Sequence, residues 1–233
     1  MYIKENGECS IYLLVYVDDM LVASQDENGL QQTIRCLSDE FELTCLGDVH
    51  HFLGMEVRRD EKGYTIGLRR YIEDLLSSYG LSDAKPSKSP KNPGYLKVDD
   101  KSEALKDPTK YRSVVGSLLY LSVVAKPNIS TSASILGRKV AAPTEYDWTA
   151  VKQVLRYLQK TKDYRLHLGG ANDDPLLGYS DADWAGDLQS RRSTSGFVFM
   201  FRRTAISWAS HRQTSVTLSS MEAEYMALSE ACQ

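Results

Sequence analysis

The sequence predicts an α+β fold built from antiparallel hairpins and amphipathic helices, on three observations. Two apolar runs, Ser10–Tyr16 and Met20–Ser24, flank a break at Asp18-Asp19. Two stretches between 107 and 160 repeat apolar residues at i, i+3, i+4 and i+7. From Leu176 the period changes to 2 and three short strands follow one another before a last helix.

In chain order, the first hairpin is rich in Val, Leu, Ile and Tyr, so its arms read as largely buried strands. Hairpin turns usually take Asn-Gly or Asp-Gly, because glycine tolerates positive φ. Here two carboxylates stand together with no neighbouring lysine. Adjacent like charges repel unless a cation lies between them, so Asp18 and Asp19 are candidate ligands of a divalent metal; the competing reading is a solvated acidic turn. Asp26-Glu27-Asn28 begins a helix to about Phe41, with Leu30, Ile34 and Leu37 on one side. Phe52 to Val57 reads as a strand, turned by Lys62-Gly63 into Tyr64–Leu68. A helix from Arg69 to Tyr79 buries Ile72, Leu75 and Leu76 and stops at Gly80. Residues 82–106 hold Pro86, Pro90 and Pro93 among Ser and Lys, the composition of a linker. Asp107-Pro108 caps a helix whose stripe is Tyr111, Val114, Val115, Leu118, Leu119 and Ser122. A further helix from Thr144 is apolar at Trp148, Val151, Leu155 and Leu158. Its other side carries Lys152, Arg156 and Lys160 at i, i+4, i+8, a ridge for phosphate or plain surface charge.

In the last segment Leu177, Tyr179, Asp181 and Asp183 fall on one strand face. Strands over Ser195–Phe201 and Ala205–Ala209 follow, then a helix. Ser219 with Glu222 forms a capping box. Met221, Tyr225, Leu228 and Cys232 make one helical stripe, expected to face the sheet, with Glu224 inside its edge and Glu222 and Glu230 pointing away. An inward acid needs a partner, and a metal shared between Asp181 and Glu224 supplies one.

These strings resemble a known family. Tyr16-Val17-Asp18-Asp19-Met20 is similar to the catalytic hairpin in the palm of reverse transcriptases, in the form found in copia-type LTR retrotransposons. Phe52-Leu53-Gly54-x-Glu56-Val57 followed by Tyr71-Ile72-x-Asp74-Leu75-Leu76 resembles the family's primer grip. Tyr111 to Leu121 resembles its connection, with Lys126-Pro127-Asn128-Ile129-Ser130 standing for a usual Arg-Pro-Asp-Ile-Ser. Ser180-Asp181-Ala182-Asp183-Trp184-Ala185-Gly186-Asp187 and Ser219-Ser220-x-Glu222-Ala223-Glu224-Tyr225 resemble the start and end of the leading part of the family's ribonuclease H domain. Phe201-Arg202-Arg203-Thr204 departs from a usually glycine-rich turn.

The resemblance implies a partial palm and primer grip at 1–81, a linker at 82–106, a helical connection at 107–171 and part of a ribonuclease H-like domain at 172–233. It implies Mg2+ or Mn2+, two ions per site, with Asp18, Asp19, Asp181 and Glu224 as catalytic ligands; Asp183 and Asp187 are signature positions rather than ligands. It implies an RNA–DNA hybrid or template-primer as partner, with deoxynucleotides and the remaining parts of the Pol polyprotein. Tyr16, Gly54, Arg191 and Arg192 are then expected near nucleic acid. Both two-metal sites of the family take further acids from outside the matched strings, so the expectation for this chain alone is inactivity. An alternative is a non-catalytic nucleic-acid-binding remnant. Another is an unrelated metal-dependent phosphotransferase on a ferredoxin-like sheet, against which the strings at Tyr111–Leu121 and Ser219–Leu228 argue.

Composition fits this frame. Hydrophobic residues make up 42% of 233, enough for a core. Residues 111–171 hold 9 Lys+Arg against 3 Asp+Glu within a chain of net charge −3, which suits a polyanion track or a solvated helical surface. Cys9, Cys36, Cys45 and Cys232 lack metal or disulfide spacing. No apolar run reaches the ~18 residues that cross a bilayer and no signal peptide is evident. The expectation is an intracellular protein, in cytoplasmic virus-like particles or the nucleus, with no membrane partner.

Overall fold

The computed structural model describes residues 1–6, 9–61, 63–98, 101–169 and 175–233. The turn residue Lys62 and the boundary expected at 171/172 lie outside them. Antiparallel strands and helices come in separate runs, as α+β predicts. The chain divides into two compact units, Met1–Arg58 and Arg59–Gln233.

In the first unit β1 (Tyr2–Asn6), β2 (Cys9–Tyr16) and β3 (Asp19–Ser24) form an antiparallel meander. The ladder pairs Leu14 with Leu21 and Tyr16 with Asp19, so the two central turn residues are Val17 and Asp18 rather than Asp18 and Asp19. α1 (Glu27–Glu40) starts where Asp26 accepts a hydrogen bond from the Asn28 N–H at 3.1 Å. It packs on β3, while Ile11 is buried and Leu13 and Val22 are half-buried. The opposite sheet face, with Ile3, Tyr12, Leu14 and Tyr16, is open to solvent. The expectation of buried arms is therefore corrected: one helix covers one face, and side chains alternate between faces. The strand expected over Phe52–Val57 is also corrected. It is a tight hairpin, β4 (His51–Phe52) and β5 (Met55–Asp60), turned at Leu53 (φ 50°) and Gly54 (φ 79°).

In the second unit β6 (Gly63–Gly67) pairs with β7 (Leu166–Leu168), a strand absent from the sequence reading. α2 (Arg69–Ser78) ends in a Schellman motif: the Leu81 N–H donates to the Leu76 carbonyl at 2.9 Å across Gly80, at φ 65°. α3 (Pro108–Val124), α4 (Ser130–Gly137) and α5 (Glu145–Thr161) build the core around Tyr111, Val114, Leu118, Ile135, Val151 and Leu155. Each such buried aliphatic contributes about 1.5–3 kcal/mol. Leu119 lies outside the stripe, exposed, and Leu121 takes the buried position. Asp107 caps α3 by accepting from the Lys110 N–H at 3.0 Å, and Thr144 with Asp147 closes a full capping box on α5.

Within the segment expected to be a linker, residues 82–95 form a strap laid along α5. The Ser87 N–H donates to the Arg156 carbonyl at 3.1 Å, and the Gln153 and Gln159 amides donate to Ser89 and Ser82 carbonyls. Tyr95 is buried in that strap, stacked on Tyr146 at 5.2 Å, with its hydroxyl on the Asp147 carboxylate. Burial and that carboxylate push the Tyr95 phenol far above its ordinary value. Last come β8 (Leu177–Asp183), β9 (Thr194–Phe201), β10 (Thr204–Arg212) and α6 (Ser220–Ala231), the sheet running β10-β9-β8.

Candidate metal-binding carboxylates

Asp18 and Asp19 are both exposed at the tip of the first hairpin. Among the described residues neither carboxylate has a hydrogen-bond or ion-pair partner. Val17 precedes them at φ 51° and 80% exposure. A β-branched residue in the left-handed region is strained by about 1–2 kcal/mol. Two adjacent carboxylates on a tight, solvent-facing turn are a donor set that suits a hard divalent cation. Nearest in the ladder is Tyr16, paired with Asp19 and 58% exposed on the bare apolar face.

On β8, Leu177, Tyr179, Asp181 and Asp183 do share one face. The register sets Asp181 against Gly196 on β9 and that residue against Ser210 on β10. This face looks toward α3 and α4: the Trp208 indole N–H donates to the Ser122 carbonyl at 2.7 Å, and an Arg138 guanidinium N–H donates to the Thr194 hydroxyl at 3.1 Å. Asp181 and Asp183 thereby line a cavity of about 100 Å³ with Thr131, Ile135, Thr194 and Ser210. Its remaining charged wall is Lys91, carried in by the strap. Burial holds the Lys91 amine below its ordinary value; Asp183 pulls it back up and Arg138 adds to the lowering. In the turn that follows Gly186 is buried against the Asp183 carboxylate, which would have to swing aside for a Cβ there. Asp187 organises the next loop by accepting N–H bonds from Gln189 and Ser190 at 3.0 and 3.2 Å. Burial works to raise its carboxyl, but those bonds and Lys139 outweigh it and hold it below the usual range.

α6 corrects the face assignment. It meets the sheet through Ala223 and Ala227, both buried, while Met221 (79% exposed), Tyr225 (74%), Leu228 and Cys232 face solvent. The Gln213 amide bridges the Ser195 hydroxyl and the Ala223 carbonyl, each at 2.9 Å, and Glu230 meets His211 at 2.9 Å. Ser195 and His211 are a ladder pair, so α6 lies on their side of the sheet and Glu230 points inward, not away. Asp181 alternates to the other side, with Gly196 and Ser210. Glu224 is exposed on the helix, not turned into the sheet. Glu222 keeps a structural role, although its carboxylate takes the Leu218 N–H (2.7 Å) rather than that of the N-cap residue. The structure thus brings Asp181 together with Asp183 and Lys91. Among the described residues no three His, Cys, Asp or Glu side chains form a metal-holding group.

The basic ridge is partly covered. Lys152 and Arg156 are half-buried on α5 beside the strap, and Lys160 is exposed. Trp148 packs on Tyr79 with the Lys110 ammonium over both rings, and the Tyr157 hydroxyl accepts from Asn128 at 2.8 Å. Arg191 is exposed at φ 56° and Arg192 is half-buried. Gly54 holds a left-handed turn position. Lys91 was missed because it sits in Ser-Lys-Ser-Pro-Lys-Asn-Pro, a string that reads as tether and carries no signal of a folded partner.

Residues 1–93 match the family described as reverse transcriptase (RNA-dependent DNA polymerase). Over 97% of its length the chain is 39% identical to the retrovirus-related Pol polyprotein from transposon RE2 of Arabidopsis thaliana. It spans only 15% of that polyprotein. Over 94% of its length it is 36% identical to an uncharacterized mitochondrial protein of the same plant, covering 90% of it. The Ty5-1 transposon protein of Saccharomyces cerevisiae is 30% identical over 99% of the chain, which covers 75% of it. No solved structure matches.

Proposed function

The chain belongs to the reverse transcriptase family of copia-type, retrovirus-related transposon Pol polyproteins, and on that premise we propose that it carries two nucleic-acid-processing segments. One is the palm hairpin and primer grip of an RNA-directed DNA polymerase, over 1–81. The other is part of a ribonuclease H, over 172–233, reached through the linker at 82–106 and the helical connection at 107–171. The observation that carries the reading is the Asp18–Asp19 pair, exposed and without a protein partner among the described residues, inside the 1–93 match.

Asp18 and Asp19 would hold Mg2+ or Mn2+ in the first segment; in the second, Asp181 and Glu224 lie on opposite sides of the sheet and do not fit a shared ion. Bound there, such ions supply the clamp on attacking and leaving oxygens of phosphoryl transfer. The chain's own residues do the rest. Tyr16 and Gly54 lie at the primer end, while Lys152, Arg156, Lys160, Arg191 and Arg192 contact phosphate. The partners are an RNA–DNA hybrid or template-primer, deoxynucleotides and other Pol segments, inside the cell in virus-like particles or the nucleus. No helix is long and apolar enough to cross a membrane.

On this reading the chain taken alone is inactive, since both two-metal sites of the family take further acids from outside the matched strings. A second reading, a non-catalytic nucleic-acid-binding remnant, is favoured by the basic stretch 111–171, with 9 Lys+Arg against 3 Asp+Glu. Primer extension with Mg2+ or Mn2+ tests both. The expected result is no extension, with salt-dependent hybrid binding that K152A/R156A/K160A weakens. Synthesis abolished by D18N/D19N would overturn the inactivity and uphold the site; synthesis indifferent to D18N/D19N would overturn the site.

A further inference from the structure

Three helix ends meet at the head of the α5 ridge. Tyr79 caps the end of α2, Lys110 lies in the first turn of α3, and Trp148 lies in the first turn of α5, one turn before Lys152. The Tyr79 and Trp148 rings pack with centroids 6.1 Å apart at 58°, and both residues are half-buried, so each keeps some ring surface in solvent. Over them stands the Lys110 ammonium, 5.2 Å from the Trp148 centroid and 5.6 Å from that of Tyr79, on an exposed residue. Among the described residues no carboxylate pairs with Lys110, Lys152, Arg156 or Lys160. An unneutralised row of cations thus begins on a pair of aromatic rings.

We propose that Tyr79 and Trp148 are a stacking seat for an unpaired base, so that the α5 ridge binds single-stranded nucleic acid in preference to a duplex. The inference rests on the reading of the ridge as a phosphate track. Single-strand binding combines cations along the backbone with aromatic faces under the bases. In a duplex each base already stacks on its neighbours, and a recessed ring pair meets only edges and ends. An arriving base has to displace the Lys110 ammonium. An exposed cation–π contact is worth roughly two- to fivefold in a binding constant, and a base–aromatic stack roughly five- to hundredfold, so the base wins the face. The displaced ammonium is then free for a backbone phosphate.

The full chain is titrated with a labelled oligonucleotide of about 12 nucleotides, either single-stranded or annealed as an RNA–DNA hybrid, and binding is read by anisotropy. Circular dichroism confirms that each variant folds. The quench of tryptophan emission that the parent shows and W148F lacks reports the stack directly. The expected result is that W148L and Y79L weaken single-strand binding about tenfold and hybrid binding less than about twofold, while W148F stays within about threefold of the parent. K152A/R156A/K160A weakens both forms. Leucine variants that weaken both forms alike, or neither, would overturn the stacking seat and leave the ridge. Where a leucine variant loses its fold the quench decides, and an emission that single strand leaves unchanged overturns the seat. Binding of both forms that K152A/R156A/K160A leaves unchanged would overturn the ridge and the inference together.

Discussion

Lys126 is the most informative residue to perturb. It is 1% exposed, and its ammonium donates to the Thr161 and Tyr164 carbonyls at 2.7 and 2.8 Å, where α5 ends. A cation there satisfies orphan carbonyls and complements the helix dipole. Burial nevertheless dominates: it lowers the Lys126 pKa from 10.5 to about 8, with Asp163 opposing and Arg165 adding to the shift. Below pH 8 the amine is charged in both states, and the folded chain bears the full cost of burying that charge. Between pH 8 and 10.5 the native state releases the proton and the unfolded state keeps it. The unfolded chain then binds more protons, so stability rises with pH, by roughly 3 kcal/mol in all. The neutral amine still has two N–H donors for the two carbonyls. Above pH 10 the trend reverses, because burial raises the Tyr95 and Tyr111 phenols and the unfolded chain ionises first. The assay is urea unfolding from pH 7 to 11 followed by tryptophan fluorescence. Trp148, Trp184 and Trp208 all lie in the unit from Arg59 to Gln233, so the signal reports the part that holds Lys126. The parent gains stability from pH 8 to about 10, and K126M does not. A parent that is flat over that window, or a K126M protein with the same rise, refutes the reasoning.

Two further outcomes follow from the local geometry. The β9–β10 turn holds Arg202 at φ 49° and Arg203 at φ 63°, so R202N/R203G relieves left-handed strain and stabilises by about 1–2 kcal/mol in the same urea assay; no gain would refute a strained turn. Tyr95→Phe removes the donor to the buried Asp147 carboxylate, costs about 1.5–3 kcal/mol, and frees the strap for protease cleavage near Lys88 and Lys91; unchanged cleavage would refute the anchor.

Local chemistry was readable wherever one residue type has one physical use. Asp26, Asp107 and Thr144 start helices because their side chains take orphan N–H groups, and Gly80 ends one because it tolerates positive φ. The turns were harder. Val17, Leu53, Arg202 and Arg203 occupy left-handed positions that sequence preferences assign to glycine or asparagine, so the first turn shifted by one residue and the β4–β5 hairpin was read as a single strand. β7 went unnoticed because three residues are too few to show a period.

Periodicity fixed which residues of each helix and strand share a side: Asp181 with Asp183, Met221 with Tyr225, Lys152 with Arg156. Only the tertiary structure decided which side meets a neighbour. A period states an angle around an axis and names no partner for it. α6 approaches the sheet closely through the small residues Ala223 and Ala227, which turns its larger apolar stripe and Glu224 outward. A proline-rich string becomes a strap because Tyr95 finds Asp147, and that places Lys91 beside two aspartates about ninety residues away in sequence. Contacts of that separation depend on how the whole core packs, and no local window of sequence contains them.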